Sequence, residues 1–558
     1  MYKLLGKLKN EIIHKEIIIP IDKIKSSKGE FIEIDDIFVG SNSSGFIAYD
    51  RVCDHNGGQL ILNPSNLSAT CPLHKWTLKL ADSLYENGCP KKPLPVRVES
   101  ANLIVIKSEE TFPIVDTCNL TTSDINFKFN AHASVSIEID GISIISDPWL
   151  VGSCFANGWW HAFPPTNEAM ERLRSSDFIY ISHNHPDHLH IPTLENYVEK
   201  SKLILVPNFQ SKSVENILRR NGFNNLVICD FMQEVLIKTM SSAIKLVMIK
   251  SGDERDDSSL LVCTARRKIF LGVDTNMPNR WVLPKVDVLF TLFAGGASGF
   301  PARIENFDLA KKNEIINAKR ANILSNHVAK LINSTMPDYI IPYAGYFTEI
   351  SRDGDVKEIN KKNSPRDLKC YIEEKFPNII FINPIDSPIF RLGDGGLEFE
   401  EISEHPAYFL DDDYISSVIS DGLKGRGDLS VEELLLVGKR FLLSNFFDDL
   451  TVIFIPTNES MTEDVGFALL IDFSPKGRKA EIINLNGDSD RDLVASIGVG
   501  MNNLELLRVR AESFALAIRD GLPLEDLSIG FQIKMYRQPN VYNFKFWDYF
   551  TNKEFISL

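Results

Sequence analysis

The sequence predicts an α+β protein of three domains. Its 558 residues are enough for about three domains of ordinary size, and 44% hydrophobic with 24% charged residues is typical of a globular chain. Strand-like runs dominate residues 1–115, strands alternate with helices over 125–390, and a helix-and-strand region covers 400–558. We therefore expect a small β-domain, a layered central domain and an α+β domain, in that order.

Charge and hydropathy restrict the partners of the chain. A net charge of −15 argues against nucleic acid or an anionic membrane as a partner, so an anionic ligand would need a local basic pocket. The sequence contains no run of about 18 apolar residues and no signal-peptide core near Met1. The eight cysteines do not suggest a disulfide scaffold in a chain of this length. We expect a cytoplasmic protein that acts on a small molecule.

The third domain is expected to begin with a capped helix. Ser430 and Glu433 fit a capping box, three strand-like runs follow, and residues 489–520 read as a long helical region. This order of elements resembles a sterol-carrier-like lipid domain. Its apolar face is expected to form a contact between domains or between copies of the chain, which would make a homo-oligomer.

Two Cys/His pairs lie in the first domain. Cys53-x-His55 is followed, after fifteen residues, by Cys71-x-x-His74. Two thiolates and two imidazoles could form a structural zinc site. The order of the four residues is, however, that of a Rieske [2Fe–2S] centre, in which two cysteines hold one iron and two histidines hold the other. Because this spacing is specific, and because no cysteine follows either histidine, we predict a Rieske centre of the oxygenase or ferredoxin type.

A second metal-binding motif lies in the central domain. Residues 181–190, ISHNHPDHLH, follow a strand-like run and precede a predicted helix, so they occupy a position where α/β folds place their chemistry. His183 and His185 are two residues apart, so in an extended segment both side chains would face the same side and could bind one metal ion. Asp187 and His188 would then face a second metal ion. A solvated loop is the alternative, but histidine-rich tracts favour metal binding.

The motif resembles the first metal-binding motif of the metallo-β-lactamase fold, an αββα sandwich. Zinc hydrolases of this fold use a third histidine further along, yet no histidine occurs here between His190 and His327. We assign Glu254 to that position and Asp274, which follows a predicted strand, to the bridging position. Carboxylates in these places favour iron or manganese over zinc. The alternatives to Glu254 are its neighbours Asp253, Asp256 and Asp257, or a solvated acidic turn.

The chain as a whole resembles the CMP-N-acetylneuraminate hydroxylase family. That family hydroxylates the N-acetyl methyl group of CMP-sialic acid with O₂ and with electrons that a reduced carrier passes to a Rieske centre. The resemblance lies in five segments: DPWLVGSCFANGWW (147–160), YISHNHPDHLHIPTL (180–194), FAGGASGFP (293–301), IPYAGYF (341–347) and DGLPLEDLSIGFQIKMYRQPNVYNFKFWDYF (520–550).

The resemblance implies a cofactor and a role for each motif residue. A [2Fe–2S] cluster would be held by Cys53, His55, Cys71 and His74. Non-haem iron, as a pair of ions, would be held by His183, His185, Asp187, His188 and Asp274. Members of the family have a histidine near the position of Glu254, so this residue is a departure from the pattern.

Other residues are candidates for catalysis or substrate binding. His132, in NAHAS, matches a histidine at the edge of such sites, and we expect it, like Glu254, to be catalytic. His327 lies in a helical stretch and is expected at the surface. We expect a substrate pocket formed by Trp160, Ser298, Gly299 and Tyr346. An aromatic ring can stack on a substrate, and a glycine-rich backbone allows a substrate to approach closely.

Three functions remain open from the sequence. The first is an iron-dependent oxygenase acting on CMP-N-acetylneuraminate or a related amino sugar. The second is the same machinery hydroxylating or N-oxygenating another amino sugar or amine. The third is a hydrolase or lactonase with a redox-sensing Rieske domain, which the missing zinc-site histidine disfavours. Since the chain encodes no reductase, an oxygenase would need an external electron donor: a ferredoxin, a cytochrome b5-like protein or an NAD(P)H-dependent reductase.

Overall fold

The computed structural model describes ten stretches of the chain, within which seven β-sheets form. Two of the sheets have eight strands and form the centre of the molecule. The described residues are 2–25, 30–55, 58–72, 75–253, 255–295, 299–349, 359–402, 417, 428–485 and 503–550.

The first large sheet carries the 181–190 segment at one edge. It is antiparallel on one side and parallel on the other, where β14, β16, β17 and β18 run side by side. Its strands, in spatial order, are β18 (Leu226–Cys229), β17 (Leu203–Pro207), β16 (Phe178–Tyr180), β14 (Ile142–Ser146), β13 (Ser134–Ile139), β12 (Ile125–Ala131), β27 (Ile389–Gly393) and β28 (Gly396–Phe399).

The second large sheet includes the first strand of the chain. Tyr2 pairs with Ile237, so the strand belongs to the central layers and not to the small N-terminal sheets. The strands, in spatial order, are β1 (Tyr2–Lys7), β19 (Gln233–Lys238), β20 (Ala243–Lys250), β21 (Ser258–Cys263), β22 (Lys268–Leu271), β23 (Val288–Thr291), β24 (Tyr339–Pro342) and β26 (Ile380–Phe381).

The two large sheets share one hydrophobic core. Phe127 and Phe390 of the first sheet lie with ring centroids 5.8 and 6.1 Å from Phe290 of the second. Helices pack on the outer faces, because apolar residues that face away from the shared core must also leave water. The layering is the αββα sandwich that the sequence predicted. The helices on the first sheet are α2 (Asn167–Ser175), α3 (Ile191–Tyr197) and α4 (Ser213–Arg220), and those on the other side are α5 (Leu309–Asn322), α6 (Ala329–Thr335) and α7 (Pro365–Lys375).

Three small antiparallel sheets precede the sandwich, together with helix α1 (Ile21–Lys25). Two apolar clusters hold them together, one of which contains Cys53 and Cys71. The strands are β2 (Glu11–Pro20), β10 (Val96–Glu99) and β11 (Asn102–Thr111); β3 (Ile32–Ile34), β4 (Ile37–Asn42) and β5 (Gly45–Asp50); and β6 (Ile61–Leu62), β7 (Ser68–Thr70), β8 (Thr77–Lys79) and β9 (Leu84–Tyr85).

A five-stranded sheet covered by helices follows the sandwich. The predicted capping box is confirmed, since the Ser430 side chain accepts from the Glu433 backbone and Glu433 accepts from Ser430. The strands, in spatial order, are β31 (Lys479–Asn484), β30 (Phe467–Asp472), β29 (Thr451–Thr457), β32 (Leu504–Arg510) and β33 (Ile533–Gln538), and the helices are α8 (Val431–Leu443), α9 (Ala511–Asp520), α10 (Leu524–Ile529) and α11 (Phe544–Phe550).

The predicted helical region over 489–520 is wrong in part. Residues 489–502 lie outside the described stretches, but β32 is a central strand parallel to β29, and only α9 is helical. The sequence of β32, LELLRVR, does not alternate strictly, because Leu506 and Leu507 are adjacent, so it lacks the pattern of a half-buried strand. Among the described helices, none has the length and apolar character needed to cross a membrane.

Candidate functional site

The 181–190 segment begins where β16 ends and is fixed there by Asp147. Because β14 and β16 are parallel neighbours, the residues that follow them meet at one edge of the sheet. Asp147 Oδ1 accepts from the backbone N–H of Ser182 at 2.7 Å, and Oδ2 accepts from the Ser182 hydroxyl at 2.7 Å. The same Oδ2 lies 3.0 Å from Nδ1 of His188. Asp147, to which the sequence assigned no role, therefore orients His188 so that Nε2 faces away from it.

His183, His185 and Asp257 form one group that could hold a metal ion. Nε2 of His183 lies 2.9 Å from Nδ1 of His185 and 3.8 Å from Oδ1 of Asp257. Asp257 begins the turn into β21 and is buried. Glu254, which we assigned to this position, lies outside the described residues, whereas Asp257 was one of the alternatives.

A second group adjoins the first and contains His132, Asp187 and His188. Nε2 of His188 lies 3.4 Å from Oδ2 of Asp187 and 3.7 Å from Oδ2 of Asp274. Nε2 of His132 is 3.1 Å from the same Asp187 oxygen. His183, His188 and Asp274 form a third, overlapping group. The structure thus brings together five of the six predicted ligands of the central domain, all except Glu254, which is not described, and adds His132 and Asp257 to them.

The charges of these residues suit a divalent cation. Oδ1 of Asp187 and Nε2 of His188 are buried, and neither has a hydrogen-bond partner among the described residues. Burial lowers the pKa of His188, but the carboxylates of Asp187 and Asp274 outweigh it and hold this pKa well above its ordinary value. Burial raises the pKa of Asp257 to about 6. Imidazoles together with several carboxylates form a donor set that suits iron or manganese, so the residues fit the implied metal.

Cys53 and Cys71 lie in two loops of the same form. The backbone N–H of Cys53 donates to the carbonyl of Gly58 at 2.8 Å, and that of Cys71 donates to the carbonyl of Trp76 at 2.8 Å. Neither cysteine is in a disulfide, both are only 1% exposed, and both belong to one apolar cluster. A pair of buried thiols on matching loops fits the implied cluster. His74 lies outside the described residues.

His55 is held between aromatic side chains. Its ring stacks on Trp76 with centroids 4.6 Å apart and planes 4° apart, and Tyr542 from the C-terminal segment lies 5.8 Å away. Burial, together with the positive charge of Arg255, lowers the pKa of His55 to about 4. The imidazole is therefore neutral near pH 7, which is the state that binds a metal ion.

The loop between Cys53 and His55 is anchored by side chains that the sequence did not reveal. The Tyr85 hydroxyl donates to Oδ2 of Asp54 at 2.8 Å. Nζ of the buried Lys91 donates to the carbonyl of Val52 at 2.7 Å and to Asp54 at 3.2 Å. These contacts fix the backbone on both sides of Cys53.

One cavity of about 340 Å³ connects the two candidate metal sites. His55 and Trp76 line it from the N-terminal segment, and the C-terminal segment contributes further wall residues. The candidate iron ligands that face the cavity are His185, Asp187 and Asp274.

Arg255 lies in the same cavity wall. It pairs with Asp253 at 2.9 Å and with Asp257 at 3.0 Å, and donates to the carbonyl of Asp274 at 3.2 Å. This arginine therefore joins three acidic residues in and around the metal groups, and its positive charge also acts on His55.

The predicted substrate residues occupy different places. Gly299 lines the cavity, and a Cβ there would lie 2.8 Å from the carbonyl oxygen of Ser528, so glycine permits this contact. Ser298 lies outside the described residues. Trp160 is half-buried, and its neighbour Trp159 lines the cavity instead. Tyr346 packs in the sandwich core, where its hydroxyl donates to Asn383 at 2.9 Å.

The expectation that His327 lies at the surface is wrong. It is buried in a π-helical segment, Ile323–Val328, and lines the cavity. Its ring meets Trp281 edge-on at 5.6 Å, and burial lowers its pKa to about 4. Such π-helical turns occur frequently at functional sites, but the sequence of this stretch carries no signal for one.

Comparison with known proteins identifies relatives over nearly the whole chain. Residues 126–253 match the model of the beta-lactamase superfamily domain. The chain is 27% identical to cytidine monophosphate-N-acetylneuraminic acid hydroxylase from Danio rerio, over 90% of this chain and 86% of the relative. It is also 27% identical to the hydroxylase of the same name from Macaca mulatta, over 93% of this chain and 89% of the relative.

A solved structure is similar over a shorter part of the chain. CmlA, a diiron beta-hydroxylase from Streptomyces venezuelae, matches 50% of this chain and 55% of its own, with 18% identity and a TM-score of 0.33. The protein thus contains a metallo-β-lactamase-like domain and resembles the cytidine monophosphate-N-acetylneuraminic acid hydroxylases over about nine-tenths of its length.

Proposed function

We propose that the protein is an oxygenase that hydroxylates CMP-N-acetylneuraminate with O₂ and electrons from an external donor. The observation that carries this proposal is the shared cavity, which His55 lines together with His185, Asp187 and Asp274. Electrons that enter near His55 would need to cross only this cavity to reach the candidate iron ligands. The similarity to named hydroxylases over nine-tenths of the chain supports the choice of substrate.

The proposal assigns a role to each part of the chain. Apart from β1, which pairs in the central sandwich, residues 1–115 would form a Rieske domain, 125–390 the catalytic domain, and 400–558 a domain that completes the cavity. The cluster would be held by Cys53, His55, Cys71 and His74. A pair of irons would be held by His183, His185, Asp187, His188, Asp257 and Asp274, with His132 beside Asp187. When bound, the cluster supplies single electrons and the iron pair supplies O₂ activation.

The protein's own contribution is to hold the substrate methyl group close to the iron site and to exclude water. Trp159 and Phe347 stack with centroids 3.6 Å apart, and Phe155 meets Trp159 at 4.5 Å. All three line the cavity and form an aromatic wall beside His185, whose ring is 5.8 Å from Phe155. Positioning of this kind contributes strongly to rate because the reacting groups no longer have to find each other.

The test is conversion of CMP-N-acetylneuraminate by the anaerobically purified, iron-loaded protein with a reduced ferredoxin. We expect the N-glycolyl product, with one atom of ¹⁸O incorporated when ¹⁸O₂ is supplied. Cys71→Ser should abolish turnover, because a buried candidate cluster ligand is lost. Cys118→Ser should not, because that cysteine is exposed and belongs to no metal-binding motif.

The possible results separate the alternatives. Product formed without O₂ would refute the oxygenase. Oxygenation of another amino sugar or amine, with none of CMP-N-acetylneuraminate, would refute the substrate and retain the chemistry. Hydrolysis of a lactone or ester without reductant would favour the hydrolase instead.

A further inference from the structure

Three basic residues besides Arg255 line the cavity and are nearly inaccessible to solvent. Arg303 is 2%, Lys319 7% and Arg537 5% exposed. They occur in a chain whose net charge is −15. Buried cations in an acidic protein call for an explanation, because an ammonium or guanidinium group loses its hydration on burial.

All three residues are tied to one segment, residues 299–307, by the Lys319 ammonium and by the backbone of Arg303 and Arg537. Nζ of Lys319 donates to the carbonyl of Phe300 at 2.8 Å. The backbone N–H of Met535 donates to the carbonyl of Arg303 at 2.8 Å. The Asn306 side chain bonds both backbone groups of Arg537, at 2.8 and 2.9 Å. The catalytic sandwich and the C-terminal sheet thus build this part of the wall together.

The reason to expect a bound anion is clearest at Arg537. Its Nε is buried without a hydrogen-bond partner, and its guanidinium forms no ion pair with any residue in the described stretches. Glu505 stands opposite it across β32 and β33, but the Glu505 oxygens accept from Asn543 at 2.7 Å and from Trp547 at 2.8 Å. Burial lowers the pKa of Arg537 more than the negative charge of Glu505 raises it, and burial lowers the pKa of Lys319 to about 8. An anion in the cavity would stabilise both charges.

The carboxylates that face the same cavity each lie against a histidine. Asp187 lies 3.1 Å from His132. Asp274 lies 3.7 Å from His188, and Glu525 lies 3.6 Å from His185.

We propose that Arg303, Lys319 and Arg537 form a subsite for an oxyanion of the substrate, a phosphate or a carboxylate. The choice of probes rests on the proposed function, since CMP-N-acetylneuraminate carries both groups, but the subsite itself rests on the buried cations. Bound there, the charged group would anchor the substrate while the remainder extends toward the metal groups.

The test is equilibrium binding to the full-length, metal-loaded protein by titration calorimetry. The probes are CMP, N-acetylneuraminate and neutral cytidine. We expect Arg537→Gln and Lys319→Gln each to weaken the binding of one anion by about tenfold or more, because hydrogen bonds to charged groups are strong. Cytidine binding should not change. If the anion is the phosphate, CMP binding weakens; if it is the carboxylate, N-acetylneuraminate binding weakens.

Controls separate charge recognition from a structural role. Arg537→Lys retains the charge and should restore part of the affinity. Arg97→Gln removes an exposed arginine that pairs with Glu16 on a distant sheet and should change nothing. The thermal unfolding temperature of each variant, measured without ligand, verifies that it folds.

The subsite would be overturned by unchanged affinity for both anions in folded variants, or by an equal loss of cytidine binding. Wild-type protein that binds neither anion would also overturn it. Anion binding that depends on Arg537, without turnover of CMP-N-acetylneuraminate, would refute the proposed substrate and leave the subsite standing. Turnover with an unchanged KM in Arg537→Gln would refute the subsite and leave the proposed function standing.

Discussion

Replacing Asp147 with asparagine should disable the metal site while leaving most of the fold intact. Asp147 is fully buried and accepts from the Ser182 N–H, from the Ser182 hydroxyl and from Nδ1 of His188. Asparagine keeps one carbonyl oxygen, which can still accept from the Ser182 backbone. Its amide N–H₂ cannot accept from Nδ1 of His188, however, so the proton on that imidazole is expected to move to Nε2. Protonated Nε2 cannot bind a metal ion.

The size of the effect follows from the contacts that are lost. Residues that orient a metal ligand through a hydrogen bond typically change metal affinity by about 10–100-fold. Loss of one charge-assisted hydrogen bond in a buried site should also reduce stability by about 1.5–3 kcal/mol. The assay is anaerobic competition for iron with a chelator, together with urea unfolding and the EPR signal of the reduced cluster. We expect the EPR signal to survive, because Asp147 contacts no residue of the Cys53 or Cys71 loops among its described hydrogen bonds.

Asp140→Asn is the matched control. Asp140 also accepts several hydrogen bonds, from Thr239 and from the backbone and hydroxyl of Ser241, but it lies at a turn remote from the cavity. It should lose stability without losing iron affinity. If Asp147→Asn binds iron within twofold of the wild type, the orientation of His188 by Asp147 does not matter and the reasoning fails.

Two further predictions concern an iron ligand and the pH dependence of stability. Asp257→Ala should lower iron affinity by more than the roughly 10–100-fold that is typical when a residue hydrogen-bonded to a metal ligand is lost. Asp256→Ala loses a hydrogen bond from Ser211 and should not lower iron affinity in this way. Equal iron content in the two variants would exclude Asp257 as a ligand. The Arg519 guanidinium lowers the pKa of Glu433 to about 2, so ionised Glu433 stabilises the fold above its ordinary pKa of about 4.5. Glu433→Gln should therefore lower the free energy of unfolding by about 1 kcal/mol at pH 7, a modest effect because the Glu433–Arg519 pair is partly exposed. The difference between variant and wild type should shrink as the pH falls from about 4.5 toward 2. Urea unfolding at several pH values measures this difference, and a constant value would contradict the prediction.

The motifs could be predicted because their residues are close together in sequence. His183, His185, Asp187 and His188 occupy one loop, and the strand before it fixes which edge of the sheet they reach. The thiols of Cys53 and Cys71 were predictable for the same reason, since each begins a short loop with a specific spacing. Local spacing determines local geometry.

Residues contributed from a distance could not be predicted in this way. Asp147 reaches His188 only because β14 and β16 are parallel neighbours, a pairing that no local pattern encodes. Asp257 could not be chosen from the acidic residues between 253 and 257, because a one-residue change in where β21 begins reverses which side chains face the ligands. His327 was misplaced because its π-helical turn depends on the packing of the cavity. β32 was misread because two adjacent leucines, Leu506 and Leu507, break the alternation that marks a strand.

The C-terminal segment completes the cavity, and it does so through a contact between two glycines. The backbone at Gly158 approaches Gly530 so closely that a Cβ at Gly158 would lie 2.1 Å from the Gly530 carbonyl oxygen. A Cβ at Gly530 would lie 2.0 Å from the carbonyl oxygen of Phe155. Nε1 of Trp159 donates to the carbonyl of Ile529 at 3.1 Å in the same contact. Because the atoms that a Cβ would meet belong to the backbone on both sides, an added side chain could be accommodated only if a whole segment moved.

Gly158→Ala should therefore displace the C-terminal segment from the aromatic wall. We expect a loss of stability of about 1–3 kcal/mol, as in overpacked cores, and weaker binding of the anionic probes, because Arg537 moves away from Arg303 and Lys319. Gly395→Ala is the control, since nothing lies within 4 Å of a Cβ there. Thermal unfolding and titration with CMP and N-acetylneuraminate measure both effects. Wild-type stability and affinity in Gly158→Ala would show that the cavity does not depend on this contact.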